Sequence, residues 1–127
     1  MADLSLLALE LQPLCAEFLD DLIEAGITAV VDQTYRTPEY QASLVASGES
    51  RIENSLHCCT LADGTPAARA FDCMAERGGK LVTDGSDPIY AQMGAIWLAL
   101  GQKNSADTTW GGNFTHPDPD HFSIGEH

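Results

Sequence analysis

The class of fold can be read from Pro13-Leu-Cys-Ala-Glu-Phe-Leu-Asp-Asp-Leu-Ile-Glu-Ala-Gly-Ile-Thr-Ala-Val-Val-Asp32, near the start of the chain. Pro13 suits the first turn of a helix, and Gly26 suits its end. Residues 27–32 form a short β-branched run that is typical of a half-buried or fully buried strand. A helix that leads directly into a strand predicts an α+β fold. The apolar side chains at helical spacing are Leu14, Cys15, Phe18, Leu19, Leu22 and Ile23.

The remaining segments continue this pattern. Thr37 and Pro38 favour a second helix that runs to about residue 47, and a long polar loop over residues 49–68 follows it. Residues 69–74 alternate as in a strand, and Pro88 begins a third helix that ends at Gly101. Two short extended segments surround Gly111-Gly112. We therefore expect a small antiparallel sheet flanked by about three helices.

Size and charge limit the possible functions. With 127 residues, the chain fits a single domain over residues 1–127. Its net charge of -13 repels phosphate backbones and anionic lipids, which argues against nucleic-acid binding. The first residues lack the pattern of a signal peptide, and no run approaches the roughly 20 apolar residues that span a bilayer. We expect no membrane insertion.

Four cysteines are present: Cys15, Cys58, Cys59 and Cys73. In a chain of this size without a signal peptide, they are expected to be reduced thiols rather than a disulfide framework. The adjacent Cys58 and Cys59 follow His57 directly, so a thiolate zinc site is an alternative. The absence of C-x-x-C spacing argues against it.

Histidines and one aspartate are candidate metal ligands. His57 lies two residues after Ser55 in a polar loop, and His121 lies in an Asp-His-Phe run that can direct its ring inward. Asp72 lies within an apolar strand, where an unpaired buried carboxylate would cost several kcal/mol, so a cation is expected nearby. The alternative is that Asp72 faces solvent by simple alternation. Two histidines and an aspartate suit a zinc ion that keeps its fourth position open. The four histidines are His57, His116, His121 and His127.

Two further groups could act beside such a metal ion. Asp118 lies three residues before His121 and is a candidate for the carboxylate that moves a proton; Asp120 competes with it, and Asp-Pro-Asp is also a turn sequence. Arg36 follows the first strand and could stabilise an oxyanion or bind a substrate carboxylate. The alternative for Arg36 is an exposed arginine on a loop.

Taken together, these residues resemble the zinc D-alanyl-D-alanine carboxypeptidases and L-alanyl-D-glutamate endopeptidases, the VanY-like family that includes many phage endolysins. The resemblance extends from about Leu14 to Phe122. Its motifs are Tyr35-Arg36 with Gln41, Ser55-x-His57, Ala70-Phe71-Asp72, Trp110-Gly111-Gly112 and Asp118-x-x-His121-Phe122.

The resemblance implies one zinc ion in a groove on the sheet and a function in hydrolysis of the peptide stem of bacterial peptidoglycan. By the resemblance, Asp118 is the general base and acid, and Arg36 stabilises substrate or transition-state charge. Ser55 and Gln41 would contact substrate or support the site. The implied zinc ligands are His57, Asp72 and His121.

The chain departs from the family pattern in two places. The family places the aspartate about seven residues after the first histidine, whereas His57 and Asp72 are 15 positions apart. The intervening residues must loop out, and Asp63 is the fallback ligand. Asp120 stands where relatives often have proline, which bears on the assignment of Asp118.

We expect an L-alanyl-D-glutamate endopeptidase of endolysin type, made in the cytoplasm and acting on the cell wall after release, as a monomer. One alternative is a D-alanyl-D-alanine carboxypeptidase. A second is a non-catalytic, zinc-stabilised module that binds the cell wall, and a third is a metal-free interaction protein of a virion.

Overall fold

The computed structural model describes residues 2–50 and 55–125. Short 3-10 turns occur at Leu4–Leu6, Leu56–Cys58 and Gly111–Asn113. The helices and strands are α1 (Leu11–Glu24), β1 (Thr28–Gln33), α2 (Pro38–Ala46), β2 (Ala70–Arg77), β3 (Lys80–Leu81), α3 (Pro88–Lys103), β4 (Thr108–Trp110) and β5 (His121–Ile124).

The strands form one antiparallel sheet in the order β1-β2-β5-β4, and β3 pairs with the far end of β2. Helices α1 and α3 contact each other, and their apolar side chains join the core with those of the sheet. This architecture confirms the α+β prediction, with a small antiparallel sheet and three α-helices.

The register between β2 and β5 separates the core from the polar face. Phe71 pairs with Phe122, and Asp72 pairs with His121. Both phenylalanines pack against Phe18 of α1, with ring centroids 5.9 and 4.9 Å away. Because successive side chains in a strand point to opposite faces, Asp72 and His121 lie on the side of the sheet away from this aromatic core.

Helix α1 has the predicted apolar spacing, but its buried face is narrower than predicted. The helix begins at Leu11, two residues before Pro13. The prediction that Ile23 belongs to the apolar face is wrong, because its side chain is 72% exposed. A helix turns about 100° per residue, so a core contact centred on the row through Phe18 leaves Ile23 outside it. The buried residues of α1 are Leu11, Leu14, Cys15, Phe18 and Leu22.

The long loop and the strand that follows it contain more regular structure than predicted. The loop contains the 3-10 turn Leu56–Cys58 and an isolated bridge from Leu7 to Ala68. Strand β2 continues to Arg77, three residues beyond the predicted end, because β3 pairs with it there. Residues 51–54 of the loop, and His127, lie outside the described residues. Within the described part of the chain, no helix has the length and apolar character to cross a membrane.

Candidate metal centre

The 3-10 turn at Leu56–Cys58 places His57. Ser55 caps this turn, and its hydroxyl accepts a hydrogen bond from the His57 backbone N–H at 3.1 Å. The Arg36 backbone N–H donates to the His57 carbonyl at 2.9 Å, which ties the turn to the segment after β1. The imidazole is 2% exposed and enters the polar face of the sheet. The loop histidine is therefore held by the main chain and fixed by burial.

Strand pairing brings the other two predicted ligands to the same point. Asp72 of β2 lies opposite His121 of β5. Asp72 Oδ1 lies 3.2 Å from His57 Nε2 and 3.7 Å from His121 Nδ1. One ligand atom from each of the three side chains lies within 4.8 Å of the other two. The side chain of Asp72 is only 14% exposed, so alternation has not placed it in open solvent.

The hydrogen bonding of His57 fits a cation. Its Nδ1 lies 2.8 Å from the carbonyl oxygen of Thr34, which can only accept, so Nδ1 carries the hydrogen. In a neutral ring, Nε2 is then an acceptor, yet it faces a carboxylate oxygen of Asp72. Two acceptors at this distance require a proton or a metal ion between them. A histidine that donates its other ring N–H to a backbone carbonyl is also the usual support of a metal ligand.

Asp72 is ionised in this environment. Burial alone would raise its pKa, but the interactions with the imidazoles of His121 and His57 outweigh burial and hold the pKa well below its usual range. A deprotonated carboxylate and two imidazoles are a donor set that zinc accepts, at three of its four positions. The residues present therefore fit one zinc ion.

Two more carboxylates approach from the loop before β5. Asp118 Oδ2 lies 4.0 Å from His121 Nδ1, and Asp118, Asp120 and Asp72 form a second close group of oxygen donors. Loss of water contact and a hydrogen bond with Asp120 raise the pKa of Asp118 to about 8. Because 54% of the Asp118 side chain remains exposed, we attribute more of this rise to the neighbouring carboxyls than to burial. Asp120 thus lies within the acidic group and remains a competitor for the role of Asp118.

Gly111 fixes the position of this loop. The Asp118 backbone N–H donates to the Gly111 carbonyl at 2.9 Å. A Cβ atom at Gly111 would collide with the carbonyl oxygen of Asp118 and with the Cβ of His121. The indole N–H of Trp110 donates to the Pro119 carbonyl at 2.7 Å. The Trp-Gly-Gly motif therefore holds the Asp118 loop against the sheet, which gives that motif a physical role.

The side-chain amide oxygens of Gln33 and Gln41 hold Arg36. Its side chain is only 12% exposed, so the alternative of an exposed arginine on a loop is wrong. Its Nε donates to Gln33 Oε1 at 3.0 Å, and Nη2 donates to the same oxygen. Nη1 donates to Gln41 Oε1 at 2.6 Å. Nη2 also lies 3.4 Å from Asp72 Oδ2. The guanidinium is therefore fixed beside the predicted ligand set.

Ser55 and Gln41, predicted to contact substrate or support the site, both have structural partners. Ser55 caps the turn that carries His57, and Gln41 is buried between Arg36 and Ser50. Direct contact of either one with substrate stays a prediction.

The long spacing between His57 and Asp72 is absorbed by a surface turn. Thr60 and Pro66 form an isolated bridge across it, and Asp63 at its tip accepts a hydrogen bond from the Thr65 backbone N–H. Asp63, the fallback ligand, is exposed and belongs to neither close group of donors found among residues 2–50 and 55–125. The half-buried Cys58 and Cys59, whose thiols are free, and the exposed His116 also belong to neither group.

Sequence reasoning missed two supports. Thr34 acts through its carbonyl oxygen, which leaves no trace in the residue type. Gln33 was visible as the residue three before Arg36, but its role depends on a β-bulge. The pairing of β1 with β2 shifts register between Val31 and Gln33, so that Gln33 stands opposite Asp72.

No family model and no curated sequence matches the chain. Among solved structures, the chain is similar to an L-Ala D-Glu endopeptidase, ChiX, from Serratia marcescens. The two share 22% identity and superpose with a TM-score of 0.64, over 78% of this chain and 68% of the other. At this identity, the likeness shows that the two proteins share a fold.

Proposed function

We propose that the chain is a zinc peptidase that hydrolyses the peptide stem of bacterial peptidoglycan, as an L-alanyl-D-glutamate endopeptidase. The observation that carries the proposal is the convergence of His57, Asp72 and His121, with donor atoms within 4.8 Å. The likeness in fold to an L-Ala D-Glu endopeptidase supports the substrate class. The proposal assigns residues 1–127 to a single peptidase domain.

The three side chains would hold the ion, and two of them, His57 and Asp72, are in the state that metal binding requires. The carbonyl of Thr34 sets the tautomer of His57, so that Nε2 is available as a ligand. Asp72 is deprotonated because its pKa is held low. A zinc ion bound there would polarise the scissile carbonyl and acidify a water molecule, toward a pKa of about 7.

Asp118 is the group that would move the proton. It approaches the ligand set at His121, and more than half of its side chain reaches solvent, so substrate can reach it as well. In its ionised form, which the positive charge of a bound zinc ion would favour, Asp118 would take a proton from the attacking water and return it to the leaving amine. Asp120 adjoins Asp118 and shares its hydrogen bond, so it would influence how that proton is held.

Arg36 would stabilise the negative charge that develops on the carbonyl oxygen. The guanidinium contacts Asp72, one member of the ligand set, whereas Asp118 approaches His121, another member of the set. Because Gln33 and Gln41 already hold the guanidinium, it would need little reorganisation during the reaction. The chain thus supplies a proton carrier and a fixed positive charge to one metal site.

The test is digestion of purified peptidoglycan by the zinc-loaded protein, with the products identified by mass. We expect fragments with a new amino-terminal D-glutamate. Release of D-alanine alone would replace the endopeptidase with a carboxypeptidase. Absence of any cleavage by the zinc-loaded protein would favour a non-catalytic wall-binding module.

A pair of variants separates catalysis from metal binding. Asp118→Ala should lower turnover by about 10²- to 10⁴-fold while the zinc content stays stoichiometric. Asp63→Ala removes an exposed carboxylate outside the site and should leave both properties unchanged. Full turnover in Asp118→Ala would contradict the role of Asp118.

A further inference from the structure

A hollow lies beside the metal centre, between the end of α2 and the loop that carries Asp118. Residues 48–50 form one wall and residues 114–118 form the other, and we call it the 114–118 hollow. It encloses about 410 Å³ and opens to solvent. This volume falls within the range of about 300–1,000 Å³ that is typical of sites for small ligands.

Both walls of the hollow are connected to the site. On one side, Asp118 lines the hollow, and the ring of Phe114 lies 5.4 Å from the ring of His121. On the other side, the Ser50 hydroxyl accepts a hydrogen bond from Gln41 Nε2 at 2.9 Å. The oxygen of the same Gln41 amide accepts from Arg36. The hollow is therefore lined by the group assigned to proton transfer, and hydrogen bonds through Gln41 link its other wall to the group assigned to oxyanion stabilisation.

We propose that the 114–118 hollow binds the part of the peptide that follows the scissile bond, a subsite for the leaving amine and at least one further residue. The inference rests on the proposed function. The group that returns a proton to the leaving amine must come within hydrogen-bond distance of that nitrogen. Because Asp118 lines the hollow, the atoms beyond the leaving nitrogen extend into it.

The size of the hollow bears on the type of reaction. A carboxypeptidase that removes one terminal D-alanine releases a fragment that would leave most of 410 Å³ unfilled. An endopeptidase releases an amine attached to a longer peptide, which fills a hollow of this size. The geometry thus favours cleavage within the stem over removal of its last residue.

The lining residues also indicate what kind of fragment fits. Phe114 and Pro117 offer apolar surface for short aliphatic side chains. Glu49 and Asp118 contribute two carboxyl groups against the imidazole of His116. The Glu49 carboxyl suits the positively charged amino group that the cleavage creates, and the His116 imidazole can donate a hydrogen bond to the carboxylate of the D-glutamate that bears it.

The test measures binding rather than turnover. The probes are the dipeptide D-glutamyl-D-alanine, which begins with the residue after the scissile bond, and free D-alanine. In NMR titrations of the zinc-loaded full chain, the dipeptide should bind about tenfold more tightly than free D-alanine. Equal affinities, or no binding of the dipeptide, would overturn the proposal.

A matched pair of variants locates the binding. Thr115→Trp fills the hollow and should weaken dipeptide binding by about tenfold. Thr65→Trp places the same side chain on the exposed turn between His57 and Asp72, and should bind the dipeptide as the unchanged protein does. Equal binding by both variants would overturn the assignment of the hollow.

The outcomes separate the subsite from the function. If the protein cleaves peptidoglycan but Thr115→Trp leaves KM unchanged, the function stands and the subsite is wrong. If the dipeptide binds as expected and nothing is cleaved, the proposed function fails although the hollow is a peptide site. Zinc content, measured in both variants, should remain stoichiometric.

Discussion

His57 Nε2 lies 3.2 Å from Asp72 Oδ1, while Nδ1 of the same ring lies 2.8 Å from the carbonyl oxygen of Thr34. The carbonyl fixes the hydrogen on Nδ1, so the lone pair of the neutral ring points at a carboxylate. Such an arrangement requires positive charge nearby. Asp118 and Asp120 form a close group of carboxyls with Asp72, and Arg36 is a cation that contacts Asp72. A divalent ion would supply the remaining positive charge.

The first prediction concerns metal content. The unchanged protein should bind one zinc ion, and His57→Ala should lose at least most of it, because its buried imidazole is one of the three proposed protein ligands. Zinc should also raise the thermal unfolding midpoint, and a chelator should reverse the rise, since the ion binds the folded chain. The measurement is elemental analysis together with calorimetry.

The control for this prediction is another histidine. His116 is exposed and belongs to neither group of donors in the described part of the chain. His116→Ala should therefore keep its zinc. Stoichiometric zinc of undiminished affinity in His57→Ala would mean that the ligand set is wrong.

The second prediction concerns Gln33, which holds Arg36 through two hydrogen bonds to one amide oxygen. Gln33→Leu removes this acceptor and frees the guanidinium, so kcat should fall by about 10- to 100-fold with little change in KM. Zinc content should not change, because Gln33 is not in the ligand group. The prediction rests on the proposed function.

A second substitution at the same position tests whether the acceptor matters. Gln33→Glu keeps an oxygen that can accept from Arg36 and should recover most of the lost kcat. If Gln33→Leu retained full kcat, Gln41 and Asp72 alone would suffice to position Arg36.

Much of this site was accessible from the sequence because its chemistry is carried by residue types. A carboxylate within the apolar run of β2 required a cation, and the structure shows Asp72 beside two imidazoles. The 15-residue spacing between His57 and Asp72 is longer than in the family that the sequence resembles. The fold accommodates the extra residues. Pairing of β2 with β5 places Asp72 opposite His121, and the residues between His57 and Asp72 form a surface turn.

Other features could not be read from the sequence. The tautomer of His57 depends on the Thr34 carbonyl, and every residue has a carbonyl. The role of Gln33 depends on a bulge that periodicity does not reveal. Ile23 shows a third limit: it matches the apolar spacing of α1, but spacing alone does not give the width of the face that the sheet covers.

The third prediction concerns the width of the buried face of α1. Leu22 and Ile23 are neighbours on α1, yet Leu22 is buried and Ile23 is exposed. Leu22→Ala should lower the free energy of unfolding by about 2–5 kcal/mol, because it leaves a cavity in the core. Ile23→Ala should change it by no more than about 0.5 kcal/mol, since little apolar surface is lost from the core. Urea denaturation measures both, and similar losses would contradict the burial assigned to these two positions.

The fourth prediction concerns the start of α3. Asp87 caps this helix, accepting a hydrogen bond from the Ile89 backbone N–H at 3.0 Å, and it pairs with Arg77 of β2 at 2.8 Å. The Arg77 hydrogen bond, followed by the Ile89 backbone hydrogen bond, lowers the pKa of Asp87 to about 2. A carboxyl whose pKa is lowered by folding stabilises the folded chain above its unfolded pKa of about 3.9, and this contribution is lost as the pH falls toward 2.

Asp87→Asn separates the charge from the cap. Asparagine keeps an oxygen that can accept from the Ile89 N–H, but it cannot titrate or form an ion pair with Arg77. The unchanged protein should therefore be more stable than Asp87→Asn at pH 6, and the difference should shrink as the pH falls from about 4 to about 2. Urea denaturation of both proteins over this pH range measures the difference directly, so that the titration of all other carboxyls cancels. A difference that stays constant with pH would show that Asp87 acts through the cap alone.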